Sequence, residues 1–434
     1  MALNNVIINK IRKGLNRPAP VDDSTFALVA GGIATVDINS NPLAEYNTPY
    51  ILYGIEDAEA LGINQAYDTG NELLLWYHIN QHFSFAPGQP LWLYLVTQST
   101  PQSVMWDETS VNGVADLIHQ CSTLPQGDIR VIATVLNPLT GYNPTITANL
   151  DEDVLTAIAK AQQLANTQFA GNRPIDCIIE GRNFGTNAGT AQDLRTYDSE
   201  CVGVVIMQDL AISGLNVLNH GYADVGTYTG LAASKYYSTT QPSVSIGNNP
   251  AEVGLQYQGN IQNAANSSFL KYGMGNQPLS ELDSTPYAWG PTAQGVLYTK
   301  HYITCRIFPT VPGVYVAQAF TCAADASDMI QLQMSRVYNK AARRIYAAFV
   351  PYINGKVKLT SNSTLPGEVV KALEDVGNQV FVQMAAEGDL SDGECIIDPT
   401  QNIVTSRTLT VTWKIIGEGY LEGITGNLSY TVTL

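Results

Sequence analysis

Between Pro18 and Asp128 the chain has no lysine or arginine, although it carries thirteen Asp or Glu there. Charged residues make up only 14% of the 434, against 45% hydrophobic, and the net charge is −16. So little charge with so much apolar content excludes a disordered chain and suits a protein with much of its surface in contacts. The six cysteines, Cys121, Cys177, Cys201, Cys305, Cys322 and Cys395, form no CxxC pair. Most sit in apolar runs, which reads as free buried thiols in a reducing compartment. No run reaches the length of a membrane span; Phe26–Val36 comes nearest and is broken by Gly31-Gly32. The N-terminus lacks the apolar stretch of a signal peptide. The chain also lacks GxxxxGK[ST], GxSxG and HExxH.

The cations that are present are concentrated. Lys10, Arg12, Lys13 and Arg17 open the chain without an acid among them, and Arg336–Lys358 holds six more, also without an acid. Those two segments account for 10 of the 22 cations, leaving 12 against 38 acids elsewhere. An acidic body with two basic segments argues against nucleic-acid binding across a broad surface and favours contact with copies of itself or an acidic neighbour. The second basic segment lies on a stretch, Asp325–Ile353, whose spacing predicts one long helix. Ile330, Met334, Val337, Ala341, Ile345 and Phe349 fall on one stripe, with Arg336, Lys340, Arg343 and Arg344 opposite. Asp325 or Ser327 is placed to cap it and Pro351 to end it. The basic side is either a solvated face of a core helix or a docking face for an acidic partner.

Along the rest of the chain, short apolar runs alternate with amphipathic ones. Strands are expected at Phe26–Ala34, Pro49–Gly54, Leu91–Val96, Ile129–Leu136, Ile175–Glu180 and Val202–Met207. Helices are expected at Ile55–Leu61, Asn71–Phe83, Val111–Cys121 and Asp151–Gln168. This alternation predicts an α/β fold: a central, mostly parallel sheet flanked by helices. Beyond residue 208 the pattern weakens, with a helix around Thr227–Tyr237 and a strand pair at Val296–Ile307. A C-terminal α+β domain follows. It takes the basic helix, a strand at Val357–Leu359, a helix at Pro366–Ala386, a solvated acidic turn over Asp389–Asp392 and an alternating strand at Thr408–Ile416. Leu428, Tyr430, Val432 and Leu434 alternate with Ser429, Thr431 and Thr433, so this last strand must pair within its own domain or in another copy's sheet. Extended arms thus flank the fold. The expected division is an arm at 1–22, a body at 23–324, a C-terminal domain at 325–427 and a terminal strand at 428–434. The body is one unit, or two with an insertion around 100–260.

Ligand chemistry is sparse. His78 and His82 stand four apart on a helix, as two metal ligands would, but with no cysteine partner they read as ordinary half-buried histidines. Gly181, Gly185 and Gly189 do not form GxGxxG and read as a plain β–α turn. No catalytic, metal or cofactor site is expected.

The order of elements resembles the sheath proteins of contractile phage tails and related injection machines. The resemblance is carried at the front by Pro49-Tyr50-Ile51-Leu52, the run Gly54–Gly62, and Pro90–Val96. At the back it is carried by Gly313-Val314-Tyr315, Asp325–Asp328, Arg336–Ala341, the Gly388–Gly393 turn and Asp398–Asn402. It implies a structural subunit, not an enzyme, needing no cofactor. Such subunits polymerise into hexameric rings stacked helically around a tail tube protein, meet baseplate and tail terminator proteins, and contract to drive the tube through a host envelope. It implies a place in a virion tail assembled in the host bacterial cytoplasm, with no direct nucleic-acid contact and no membrane insertion. It also implies that Val6, Ile7, Ile8 and Leu428, Tyr430, Val432, Leu434 are strands lent to neighbouring subunits. Arg336, Lys340, Arg343, Arg344, Lys356 and Lys358 are the candidate tube-facing patch. Two other readings stay open: another virion or baseplate component, and an α/β enzyme with a site at the strand ends.

Overall fold

The computed structural model describes residues 25–122, 129–185, 187–233, 272–278, 291–308 and 311–419. The arm at 1–22 with Val6, Ile7 and Ile8, and the strand carrying Leu428, Tyr430, Val432 and Leu434, lie outside the described residues.

Six apolar runs form one sheet; five are buried along their length or nearly so and the edge run is half-buried, and only a sheet covered by helices satisfies such strands. They are β1 (Phe26–Gly32), β2 (Pro49–Leu52), β3 (Leu91–Thr97), β4 (Val131–Val135), β5 (Asp176–Glu180) and β6 (Val202–Val205). The strand order is β6-β5-β4-β1-β3-β2. All neighbours run parallel except β2, which is antiparallel to β3 and closes that edge. Four helices of this body matter below: α1 (Leu75–Phe85), α2 (Val114–Cys121), α3 (Glu152–Ala170) and α4 (Val225–Ala233). Asp151 caps α3, its side chain accepting from the Asp153 N–H.

Helices α1 and α4 cross closely. A Cβ on Gly226 would lie 2.4 Å from the His78 carbonyl oxygen, and one on Gly230 would lie 2.6 Å from that of His82. The two histidines are fully buried here, not half-buried as their polar surroundings in sequence suggested. His78 Nδ1 accepts from the Gly226 N–H at 3.1 Å, and His82 Nδ1 lies 3.1 Å from Thr229 Oγ1. Burial pulls both imidazoles down to about 3, so they are neutral packing groups at physiological pH.

A second, separate core belongs to the C-terminal α+β unit. It comprises α5 (Leu332–Phe349), α6 (Gly367–Ala386), β7 (Leu390–Ile397) and β8 (Val411–Gly417). Val337, Ala341 and Ile345 from α5 meet Phe381, Met384, Leu390 and Cys395 there, whereas Leu332 at the start of α5 packs in the body's core. β7 and β8 form an antiparallel pair. No helix among the described residues is long and apolar enough to cross a membrane.

Four local expectations differ from what is found. The basic helix starts at Leu332, not Asp325, because its proposed caps are engaged elsewhere: Asp325 pairs with Arg195, and Ser327 Oγ donates to Glu200. The Val296–Ile307 strand pair is instead a helix at Pro291–Thr299, with proline at its first position, followed by a strand at Cys305–Phe308 paired with Val311–Val316. Val357–Leu359 is not a strand; it lies in an exposed loop without regular structure. The acidic turn is not solvated at its start. Asp389 is buried and the residues after it form β7, because a buried cation waits for that carboxylate.

Candidate assembly surface

In open α/β sheets, ligands bind beyond the carboxyl ends of the strands. Here that crevice is filled by the chain itself. Glu180, the last residue of β5, is fully buried and accepts from the N–H groups of Leu136 (2.8 Å) and Ala223 (3.1 Å) and from Arg182 Nη1 (3.2 Å). Arg182 also donates to the carbonyls of Leu136 and Leu218. Burial raises the Glu180 carboxyl, and Arg182 and the two N–H groups oppose the rise. The result is a seal that ties residues 218–223 over the strand ends.

The opposite ends of the strands hold the C-terminal unit. Asp176, the first residue of β5, is buried and accepts from Ser335 Oγ and Asn339 Nδ2 on α5. Burial pushes its carboxyl up to about 6; the bonds from Ser335 and Asn339 and the charges of Arg336 and Arg343 pull the other way. Arg336 is only 5% exposed. Its guanidinium lies 5.6 Å from the Phe26 ring centroid at the start of β1 and donates to the Ala232 carbonyl. Helix α5 is therefore inserted between two cores, with one side in the body and the other in its own unit.

That insertion corrects the expected basic face. Lys340 is 2% exposed and sits 2.6 Å from Asp389 Oδ2 and 2.9 Å from Glu387 Oε2. Arg344 Nη2 lies 2.7 Å from the same Glu387 oxygen. Burial pushes the Glu387 carboxyl up, but the bonds from Arg344 and Lys340 outweigh it and leave it below its ordinary value. Arg343 is half-buried and reaches toward the Pro174 carbonyl of the body. Arg336 and Lys340 are thus internal fasteners, and Arg344 is paired within the unit. A charge every three or four residues on a helix shows which side it lies on, not what packs there. Lys356 and Lys358 differ: they stand on an exposed loop over residues 350–362, with half-exposed Tyr352, Ile353, Val357 and Leu359 beside them. The sequence holds no acid from Met329 to Gly367.

The β7–β8 pair has two unlike edges. The N–H groups of Gly393, Cys395 and Ile397 face away from β8 and are accepted by side chains: Asp392 Oδ1 (2.8 Å), Asn378 Oδ1 (2.8 Å) and Glu374 Oε1 (2.9 Å). Two of these plugs come from α6, so the β7 edge is blunted. By the alternation of an antiparallel ladder, the register Cys395↔Trp413 and Gly393↔Ile415 turns the N–H groups of Trp413 and Ile415 outward on the β8 edge. Among the described residues no side chain accepts from them. Beside that edge, Trp413 and Phe349 pack with ring centroids 5.7 Å apart, and Tyr352 continues the shelf at 6.3 Å from Phe349. Trp413 is 41% and Tyr352 51% exposed, so the shelf is half-exposed. Glu374 and Asn378 both lie on α6. Their spacing of four marks one helical face, and nothing in the sequence says that a strand edge lies under it.

Two family descriptions match the sequence: DUF2586, N-terminal domain, over residues 3–320, and DUF2586, C-terminal domain, over residues 330–434. No curated protein matches it. Among solved structures, the chain is similar to the helical sheath of the anti-feeding prophage in its contracted state. The identity is 14% and the TM-score 0.52, over 100% of this chain and 99% of that one. It is also similar to the contracted sheath complex of PVC, an extracellular contractile injection system, at 11% identity and TM-score 0.55, over 100% and 98% of the two chains. The likeness is one of fold.

Proposed function

The chain belongs to the DUF2586 family, and on that footing we propose that it is the structural subunit of a contractile sheath. It polymerises around an inner tube in a tail-like particle and works by rearrangement of its contacts, without bond chemistry. The β8 edge, whose outward N–H groups find no acceptor among the described residues, beside a half-exposed aromatic shelf, carries this reading. A row of outward N–H and C=O groups is satisfied at once by an added strand, and alternate side chains of that strand set its register. The sequence offers two such strands, Val6–Ile8 and Leu428–Leu434. The second has one apolar and one polar side, which suits a strand lying on the shelf with its other face in water. Lent to neighbours, both make a connected mesh. The fold shared with two contractile sheaths supports the same reading.

For the tube contact the candidates narrow to Lys356 and Lys358, whose loop is exposed and cationic with aliphatic residues between. Exposed charge pairs are worth about 0–1 kcal/mol each. Weak contacts of that kind suit a surface that must let go. The partners of this reading are further copies of the chain, an acidic tube protein and a baseplate.

Electron microscopy of the purified protein tests the proposal. Tubes or rings are expected, and deletion of Leu428–Leu434 should leave a folded chain that forms neither. Normal tubes from the truncated chain would refute strand donation. A wild-type protein that stays monomeric at high concentration would refute the sheath reading itself.

A further inference from the structure

The chain is pinned to the body where it enters α5. Arg195 Nη1 lies 2.7 Å from Asp325 Oδ2, and Ser327 Oγ donates to Glu200 Oε1 at 2.6 Å. The N–H of Leu332, the first residue of α5, donates to the Ala319 carbonyl at 2.8 Å, and its side chain is buried in the body's core. Further along, that apolar anchorage gives way to polar bonds. Ser335 and Asn339 bond to Asp176, the second at 3.1 Å. Arg343 Nη1 then reaches the Pro174 carbonyl at 3.5 Å, beyond the usual range of such a bond. Over the same residues Val337, Ala341 and Ile345 carry the core of the C-terminal unit on the other side of the helix. Helix α5 is therefore clamped to the body at its first turn and to its own unit beyond it.

Beside this seam is a cleft of about 180 Å³, lined by Gln162, Asn166 and Phe169 of α3 and by Met329, Tyr338 and Asn339, among others. Phe169 and Tyr338 stack from its two sides, with ring centroids 5.8 Å apart and planes 18° from parallel. Both rings are 40% exposed. No lysine or arginine lines the cleft. Two units joined by a seam that is neither large nor apolar move against each other by default, and packed seams do so between discrete settings.

We propose that α5 is a lever: it pivots at its first turn, so that the C-terminal unit swings on the body and the cleft between α3 and Tyr338 narrows or widens. Tyr338 stands six residues from Leu332, about 9 Å at 1.5 Å per residue, and Phe349 seventeen, about 26 Å. A movement of about 3 Å at Tyr338 thus becomes about 8 Å at Phe349 and at Trp413, which packs on it. The lever does not depend on the sheath reading. Within a sheath, it lets the β8 edge keep its hold on a borrowed strand while the body turns.

Pulsed electron resonance on the full-length chain tests it. Spin labels that need no cysteine are placed at Gln163 on α3 and Lys414 on β8, both exposed, with labelled chains diluted among unlabelled ones. Two distance maxima are expected, separated by up to about 8 Å. Asn166→Trp, at an exposed position, fills the cleft and should leave one of them. Phe169→Ala removes the facing ring and should shift the balance or broaden the distribution; it keeps the test decisive where the tryptophan variant does not fold. A single narrow maximum in the wild-type chain overturns the lever. So do two maxima that neither substitution alters, which would put the pivot elsewhere. Micrographs of the wild-type protein separate the two ideas. Tubes from a chain with a single maximum sink the lever and leave the sheath reading; two maxima without tubes keep the lever and sink the sheath.

Discussion

Replacing Lys340 by methionine separates an internal fastener from a docking charge. The stem is kept and the charge removed, leaving Asp389, whose side chain has no exposed surface, without its cation at 2.6 Å. Glu387 keeps Arg344 at 2.7 Å and loses the Lys340 ammonium at 2.9 Å. Breaking a buried pair from one side costs about 3–5 kcal/mol, because the orphaned charge stays desolvated. The loss falls on the C-terminal unit, so unfolding should split into two transitions with the weaker one assigned to that unit. Trp413 is the sole tryptophan after Trp289 among five in the chain, so the part of the fluorescence change in a urea titration that Trp413→Phe removes follows that transition. Lys356→Glu with Lys358→Glu, on the exposed loop, should leave the same transition within about 0.5 kcal/mol. Adding Asp389→Leu to Lys340→Met should recover most of the loss, since an apolar replacement of both partners removes the stranded charge. A loss below about 1 kcal/mol for Lys340→Met, or weakened tube binding in a chain of unchanged stability, would refute the internal assignment.

Gly226→Ala or Gly230→Ala should lower the melting temperature of the body, at about 1–3 kcal/mol for overpacking where α1 and α4 cross. Unchanged melting would mean the helices separate freely there. Asp176 predicts a pH effect. Its folded carboxyl lies near 6, above the ordinary 3.8, so its contribution is fully present below about 3.8 and is lost as pH rises through 6. The span is at most about 3 kcal/mol. Asp176→Asn should flatten the stability profile between those values, measured by denaturation at a series of pH; an unaltered slope would refute it. Ile415→Pro removes an outward N–H from the open edge without touching the β7 ladder, and should abolish tubes while Trp413 still reports a folded unit. Tubes from that variant would place the added strand elsewhere.

The alternation of short apolar strands with amphipathic helices was enough to expect the parallel sheet, because strands buried on both faces have no polar positions and only helices can cover them. The two C-terminal helices and the strand after them, expected at 325–353, 366–386 and 408–416, were equally plain as elements, since each repeats its apolar residues at the period of its own backbone, although the first begins only at Leu332 and the strand at Val411. What the sequence could not contain was the partner of each charge. Arg336 and Lys340 look the same as Lys356 and Lys358 along the chain. Folding brings Phe26, Ala232, Glu387 and Asp389 to the first two, and among the described residues no acid to the others. Likewise Glu374 and Asn378 blunt one strand edge while the other has no such acceptor among the described residues, a difference made by residues about twenty positions apart. Periodicity is a property of neighbours in the chain, so composition and spacing settled the elements. Burial and pairing are properties of neighbours in space, so only the tertiary structure decided which charges hold the molecule together and which edge it offers to the next.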